Sequence, residues 1–366
     1  MVIISYAQAC LLGMLQGLTE FLPVSSTAHM AVVPQVAFHM GDPGAAFSAV
    51  VQLGPIVAII AYFRADLMRY AKGVVRHPRF WQPAPSDIDA RLGWYVVFGT
   101  LPLVVGGIIF EHWIDTVFRG LYVIAGCLIL LAFVLWYAEV VATRSKTLEH
   151  LTWARSLIIG CAQVLALVPG ASRSGVTIAA GLFQGLDRES AARFSFLLSI
   201  PAITLAGLYK LVKVLRATHL GSQAGPYVFG AIVAGVVAYV VVRWFLGYMK
   251  EHSTGLFIGY RIVLGALLLA LLQTGYVKSA AGPESAQRDV TSTLTATAMS
   301  TAPPSTSMRL AMRAPSLPPA AIAMEVIRTV TKPATMEGHT IGARMSASHS
   351  PAANPSMLVP TDTISN

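Results

Sequence analysis

Charge is scarce in this chain. Asp, Glu, Lys and Arg make up 12% of its 366 residues while apolar types reach 55%, and a soluble domain carries about a quarter of its residues charged. That balance excludes an ordinary soluble enzyme and points to a polytopic membrane protein. Cysteine is scarce too. Cys10, Cys127 and Cys161 stand at unrelated spacings in apolar surroundings, which argues against a disulfide framework or a zinc site. No Lys, Arg or Asp precedes Asp42. The start has neither the basic region nor the cleavage site of a signal peptide, so Met1 is expected to stay on the mature chain. Aromatics vanish towards the end: Ser279 to Asn366 holds no Phe, Trp or Tyr and is dominated by Ser, Thr, Ala and Pro. Such a stretch buries too little apolar surface to offset its ordering entropy, so a disordered tail without chemistry is expected over 279–366.

What is present is a series of long apolar windows. Gly120 to Ala138 and Ala217 to Val242 hold no Asp, Glu, Lys or Arg, and each is long enough to cross about 30 Å of hydrocarbon. The expected order is an interrupted segment from Tyr6 to about Val36 and a span from about Ala45 to Phe63. A polar loop from Arg64 to Arg91 follows, then spans from about Trp94 to Phe110 and Gly120 to Val141. A polar loop over Thr143 to Arg155 leads to a second interrupted segment, about Ser156 to Phe183. Three more spans come last: Phe194 to Val212, Tyr227 to Leu246 and Gly255 to Tyr276. The net charge of +9 resides between these segments, which reads as loop bias and not as nucleic-acid binding.

The halves resemble each other. Gln16…Pro23-Val24-Ser25-Ser26 matches Gln163…Pro169-Gly170-Ala171-Ser172 with small gaps, and Phe47-Ser48 answers Phe194-Ser195. Each half has one interrupted segment and three spans. The expected fold is therefore all-α, a polytopic membrane domain over 1–278 built of two inverted repeats (about 6–141 and 154–277), each with a re-entrant broken helix. Placing the basic loops 64–91, 143–155, 187–193 and 243–250 on the cytoplasmic side satisfies the positive-inside rule, with Lys210 to Arg216 dissenting.

The chemistry gathers in the interruptions. Gln16 and Glu20 are four apart and share a helix face, and a carboxylate beside an amide oxygen can hold Mg²⁺ or Ca²⁺. His29 can serve as base, acid or nucleophile, with Ser25, Ser26 and Thr27 just upstream as hydroxyls to activate or to bind phosphate. Arg173, between Ser172 and Ser174 and flanked by Gly170 and Gly175, offers a donor fork that suits phosphate oxygens; pairing with Glu20 for structure alone is the alternative. Thr177 can start the next helix, whose N-terminus would favour an anion. His39, His77 and His112 lack such surroundings and read as surface residues.

Gln16-Gly17-Leu18-Thr19-Glu20-Phe21-Leu22-Pro23-Val24-Ser25-Ser26-Thr27-Ala28-His29 together with Pro169-Gly170-Ala171-Ser172-Arg173-Ser174-Gly175 resembles the signatures of the undecaprenyl-diphosphate phosphatases, the bacitracin-resistance proteins. Phe47 to Gly54 and Phe194 to Ile203 resemble secondary signatures, and the likeness runs from about Gln8 to Tyr276. It implies a bacterial inner-membrane enzyme that hydrolyses undecaprenyl diphosphate to the monophosphate and phosphate, recycling the lipid carrier of peptidoglycan. It also implies an active site open to the periplasm, a divalent cation, and a tendency to form homodimers. On the matching positions the acidic motif falls on Gln16 and Glu20, the catalytic serine and histidine on Ser26 and His29, and the phosphate-binding arginine on Arg173, with Ser172 and Thr177 as further hydroxyls. Gln16 stands where many members carry Glu, Ala28 where glycine is usual and Ser48 where some members carry Glu. Whether His29 activates Ser26 or itself attacks stays open, and an inverted-repeat transporter or polyprenyl-phosphate flippase is the rival reading.

Overall fold

Twelve α-helices carry the fold of the computed structural model, which describes residues 4–38, 44–79, 87–116, 118, 120–217 and 223–277. The tail beyond Val277, with its expected disorder, lies outside the described residues, as do His39, Arg119 and Lys278. Among the described residues no strand forms; one isolated bridge joins Lys146 to Leu186. The order is α1 (Tyr6–Thr19), α2 (Ser26–Phe38), α3 (Gly44–Val51), α4 (Leu53–Tyr62), α5 (Arg64–Arg76), α6 (Ile88–Thr116), α7 (Leu121–Val141), α8 (Trp153–Gln163), α9 (Arg173–Phe183), α10 (Arg188–Ala217), α11 (Ala224–Glu251) and α12 (Gly255–Gln273).

Helices α6, α7, α10, α11 and α12 are each long and apolar enough to span a bilayer, and the bent pair beginning at Ala46 makes a sixth when it is taken as one span. On that count each half has three spans. Their outer faces are apolar: Val105 and Ile108 on α6, Phe133 and Trp136 on α7, and Ile232 and Val236 on α11 are all exposed. So much apolar surface is stable only against lipid. The chain is a multi-pass membrane protein.

The expected loop from Arg64 to Arg91 is partly helical. Helix α5 leaves α4 at a 72° bend and lays Tyr70 and Gly73 against α6, while Arg64, Arg69, Lys72 and Arg76 stay outside. Its charges conceal an amphipathic period, which a reading by charge content alone misses. The basic segments themselves meet. Arg193 pairs with Asp66 at 2.5 Å, Lys250 with Glu189 at 3.3 Å, and Arg188 Nε donates to Glu139 at 2.6 Å. Glu139 also accepts from Arg144 and from Thr254. Loops from both halves are thereby tied at one end of the bundle.

Both broken helices are built alike. Helix α1 starts on a capping box, Ser5 with Gln8, and ends at Glu20 before Pro23, whose ring and missing N–H stop continuation. A residue in the left-handed region then launches α2: Ser25, φ 71°. In the second half α8 tightens into a short 3₁₀ turn over Val164–Leu167, and Ser172, φ 64°, launches α9. Ser25 and Ser172 are equivalent in a register that also equates Gln16 with Gln163 and Phe47 with Phe194, without gaps. The proline-to-proline match expected from the sequence is displaced by one from the serine register. Packing repeats the relation. A methyl group on Gly13 of α1 would lie 2.4 Å from the Gly230 carbonyl oxygen of α11, and one on Gly160 of α8 would lie 2.3 Å from that of Gly99 on α6.

Candidate active site

The two breaks meet, and they meet through hydrogen bonds. Ser174 donates to the Leu22 carbonyl at 2.9 Å, Ser172 reaches the same oxygen at 3.5 Å, and the Gly170 N–H donates to Thr27 Oγ1 at 3.3 Å. Phe21 packs edge-on against Phe196 of α10, with centroids 5.4 Å apart. Each tip thus supplies a hydrogen-bond partner to the backbone of the other, or receives one from it.

At the junction lies Glu20. Its Oε1 accepts from Arg173 Nη2 at 2.6 Å, and its Oε2 accepts from Gln16 Nε2 and from Ser26 Oγ, both at 2.8 Å. The glutamate is buried, Arg173 and Ser26 are half-buried and Thr27 is exposed, so the cluster opens on the side of α2 and α9 that carries those three. An ion pair in such surroundings attracts strongly, but it also leaves an arginine fork that a better-placed oxyanion can recruit. Ser172 caps α9, accepting from Gly175 N at 3.3 Å; the first turn of α9, led by Arg173, therefore faces the same cluster with its positive end.

His29 sits apart from that carboxylate. Its Nδ1 lies 2.8 Å from the Ser25 carbonyl oxygen and its Nε2 2.6 Å from Tyr260 Oη, the two rings being parallel within 4°. Ser26 therefore engages Glu20, while His29 engages Ser25 and Tyr260. Ser25 Oγ pairs with Thr27 Oγ1 at 3.0 Å. Thr177 does not start a helix: α9 begins at Arg173, and the Thr177 hydroxyl is fully buried, donating to the Arg173 carbonyl at 2.7 Å and meeting Ser195 Oγ at 2.6 Å. It braces the turn that carries Arg173.

The sequence reading passed over Arg261. This residue of α12 is wholly buried, and its guanidinium donates to the carbonyls of Pro23, Gly170, Ala171, Cys127 and Leu128 at 3.1 to 3.3 Å. Those carbonyls belong to both tips and to α7. Gly175 lies so close that a methyl group there would be 3.0 Å from Arg261 Nη1, which explains a glycine in that turn. Among the described residues Arg261 has no carboxylate partner, so its charge remains uncompensated beneath the tips. The signal was available, since a lone arginine in an apolar span marks a functional site by the reasoning that marked Arg173. Tyr260 gave no such signal.

For a divalent cation the donors are few. Among the described residues no three His, Cys, Asp or Glu side chains gather. Glu20 with the Gln16 amide suits a hard ion only where a substrate's phosphate oxygens and water complete the shell, as is usual for Mg²⁺.

The family model described as bacitracin resistance protein BacA matches residues 9–267. The chain belongs to this family. It is 46% identical to the undecaprenyl-diphosphatase of Chloroherpeton thalassium, across 74% of this chain and 98% of that one. It is 44% identical to that of Myxococcus xanthus, across 77% and 94%, and 47% identical to that of Mycobacterium sp. (strain KMS), across 75% and 99%. The matched region takes in both helix breaks and the whole Glu20–Arg173 cluster.

Proposed function

We propose that this BacA-family protein hydrolyses undecaprenyl diphosphate to undecaprenyl phosphate and inorganic phosphate, recycling the lipid carrier of cell-wall polymers and conferring bacitracin resistance. The observation that carries the reading is the 2.6 Å pair of Glu20 and Arg173 across two meeting tips, in a chain whose family relatives bear that enzyme's name. The polyprenyl tail stays in the bilayer and the diphosphate enters from the Thr27 side. Arg173 turns from Glu20 to the transferring phosphoryl oxygens, and Ser172, Ser25 and Thr27 supply hydroxyl contacts. Phosphoryl transfer demands mainly positioning and charge neutralisation. Arg261, buried under both tips, adds a fixed positive charge to that end.

Ser26 is the nucleophile this geometry favours. Its hydroxyl already donates to Glu20, which can take the proton as Oγ bonds to the terminal phosphorus and undecaprenyl phosphate leaves. Water then cleaves the phosphoserine, releasing phosphate and restoring the hydroxyl, with His29 as the base at hand. Glu20 and Gln16 would hold Mg²⁺ or Ca²⁺ together with the substrate. The ion would neutralise charge on the diphosphate.

The end bearing the tied basic segments faces the cytoplasm on the positive-inside rule, in a bacterial inner membrane, with the cluster open to the periplasm. A homodimer belongs to the same reading and is tested by cross-linking in membranes. The deciding experiment is phosphate release from undecaprenyl diphosphate by purified protein in detergent, with and without chelator. Cleavage without any gradient supports the enzyme; lipid translocation without phosphate release favours a flippase.

A further inference from the structure

We infer that Tyr260 is the residue through which His29 works: it fixes the imidazole's tautomer and passes the proton that the base takes up. The inference rests on the hydrolase reading above and adds to it a residue from α12, distant in sequence from both broken helices.

The hydrogen bonds dictate the protonation. The Ser25 carbonyl can only accept, so His29 Nδ1, 2.8 Å away, carries a hydrogen. In the neutral ring Nε2 is then the acceptor, and the Tyr260 hydroxyl 2.6 Å from it is the donor. Every polar atom of the imidazole is thereby engaged. His29 is 5% exposed and Tyr260 44% exposed, so of the hydrogen-bonded pair the tyrosine is the more accessible member. A water attacking phosphorus loses its proton to the phenol oxygen as the phenol's own proton moves to Nε2. Tyr260 ends neutral, His29 ends as the cation, and the water oxygen bonds to phosphorus as the Ser26 Oγ–phosphorus bond breaks, Oγ taking back the proton that Glu20 accepted in the first step. Return of the proton to solvent through the same hydroxyl resets the pair.

The neighbouring residue secures this placement. Arg261 anchors α12 to the carbonyls of Pro23, Gly170 and Ala171, so Tyr260 is held against the tips by a contact independent of its own hydroxyl. A tyrosine whose only task was packing would need no hydroxyl on a catalytic ring, and phenylalanine would serve equally.

The test is a double-mutant cycle on full-length protein in detergent, with phosphate release from undecaprenyl diphosphate as the readout. Tyr260→Phe keeps the ring and removes the relay; kcat should fall about 10- to 100-fold, within the range of general acid–base contributions, with KM changed less than about threefold. In a His29→Ala background the same substitution should lower kcat by less than about twofold, since residues acting as one unit are not additive. Tyr260→Phe with kcat within about twofold of the parent overturns the inference, as does a loss that persists in full without His29. An unchanged thermal midpoint separates these outcomes from unfolding; if Tyr260→Phe is unstable, Tyr260→Trp, which keeps an apolar ring without the hydroxyl, takes its place under the same criteria. Parent protein that releases no phosphate overturns the hydrolase reading itself, and that is seen before any variant is compared.

Discussion

Both terminal nitrogens of Arg261 lie 3.1 Å from the carbonyl oxygen of Ala171. Ala171 belongs to the second tip, and the same guanidinium reaches Pro23 in the first. One buried cation therefore replaces the backbone partners that two broken helices lack. Arg261→Met should leave those carbonyls unpaired at about 1–3 kcal/mol for each desolvated group. A fall of about 5 °C or more in the thermal midpoint in detergent is expected, because about 1 kcal/mol moves a domain of this size by about 2–4 °C. Arg261→Lys, which keeps the charge but not the fork, should fall between Met and the parent. A midpoint for Arg261→Met equal to the parent's would show that the tips hold without it.

The glycine contacts give a second prediction. Gly13 and Gly160 occupy equivalent places in the two repeats, and each presses on a carbonyl of its neighbouring helix. Alanine at either should push α1 from α11 or α8 from α6, costing about 1–3 kcal/mol as overpacking does. Gly126 and Gly247 face nothing within 4 Å, so alanine there should be neutral or mildly stabilising through helix propensity. Thermal midpoints of the four variants check this. Equal midpoints throughout would remove the claim that close helix approach sets the repeat packing.

How legible was all this in the chain itself? Spans were legible because apolar windows without charge have few alternatives, and the site was legible where ionisable groups interrupt them, at Glu20, His29 and Arg173. Helix α5 was not, because its five cationic and anionic side chains masked a buried face made of only Tyr70 and Gly73. The repeat register was off by one because it was aligned on prolines. The chain instead reverses on Ser25 and Ser172, whose left-handed backbone has no side-chain signature outside glycine. Thr177 was misplaced for a related reason: capping falls to Ser172, so the helix begins one turn earlier. Tyr260 joins the site only through the packing of α12, a long-range relation that local spacing does not encode, whereas Arg261 stood in the sequence as a lone cation in an apolar span.

Arg173 separates binding from bracing. If it clamps phosphate, Arg173→Ala should lower turnover at least ~10²-fold, in keeping with loss of one charge-stabilising donor. Arg173→Lys should recover part of that, since a single ammonium replaces a bidentate fork. If the residue served only to neutralise Glu20, Arg173→Lys, which keeps the charge, would restore turnover in full. Phosphate release near the parent rate by Arg173→Ala would remove the residue from the site.

Gln16 is where a cation requirement should be most adjustable. Its amide nitrogen donates to Glu20 Oε2 at 2.8 Å, so the position already faces the only carboxylate in the cluster. Gln16→Glu places a second carboxylate one helical turn from Glu20 on the same face. Repulsion between the two disfavours the empty site, and Mg²⁺ or Ca²⁺ relieves it, so both effects favour the occupied form. The divalent concentration giving half-maximal phosphate release should fall about tenfold, equivalent to about 1.4 kcal/mol. Activity without added metal should fall as well, because Arg173 is then drawn between two anions and away from the phosphoryl group. A titration of activity against Mg²⁺ and Ca²⁺, from chelator-stripped protein, reads both changes. Identical curves for Gln16→Glu and the parent would mean that the ion, if the reaction uses one, is held by the diphosphate alone and that Glu20 serves only as the proton acceptor of Ser26.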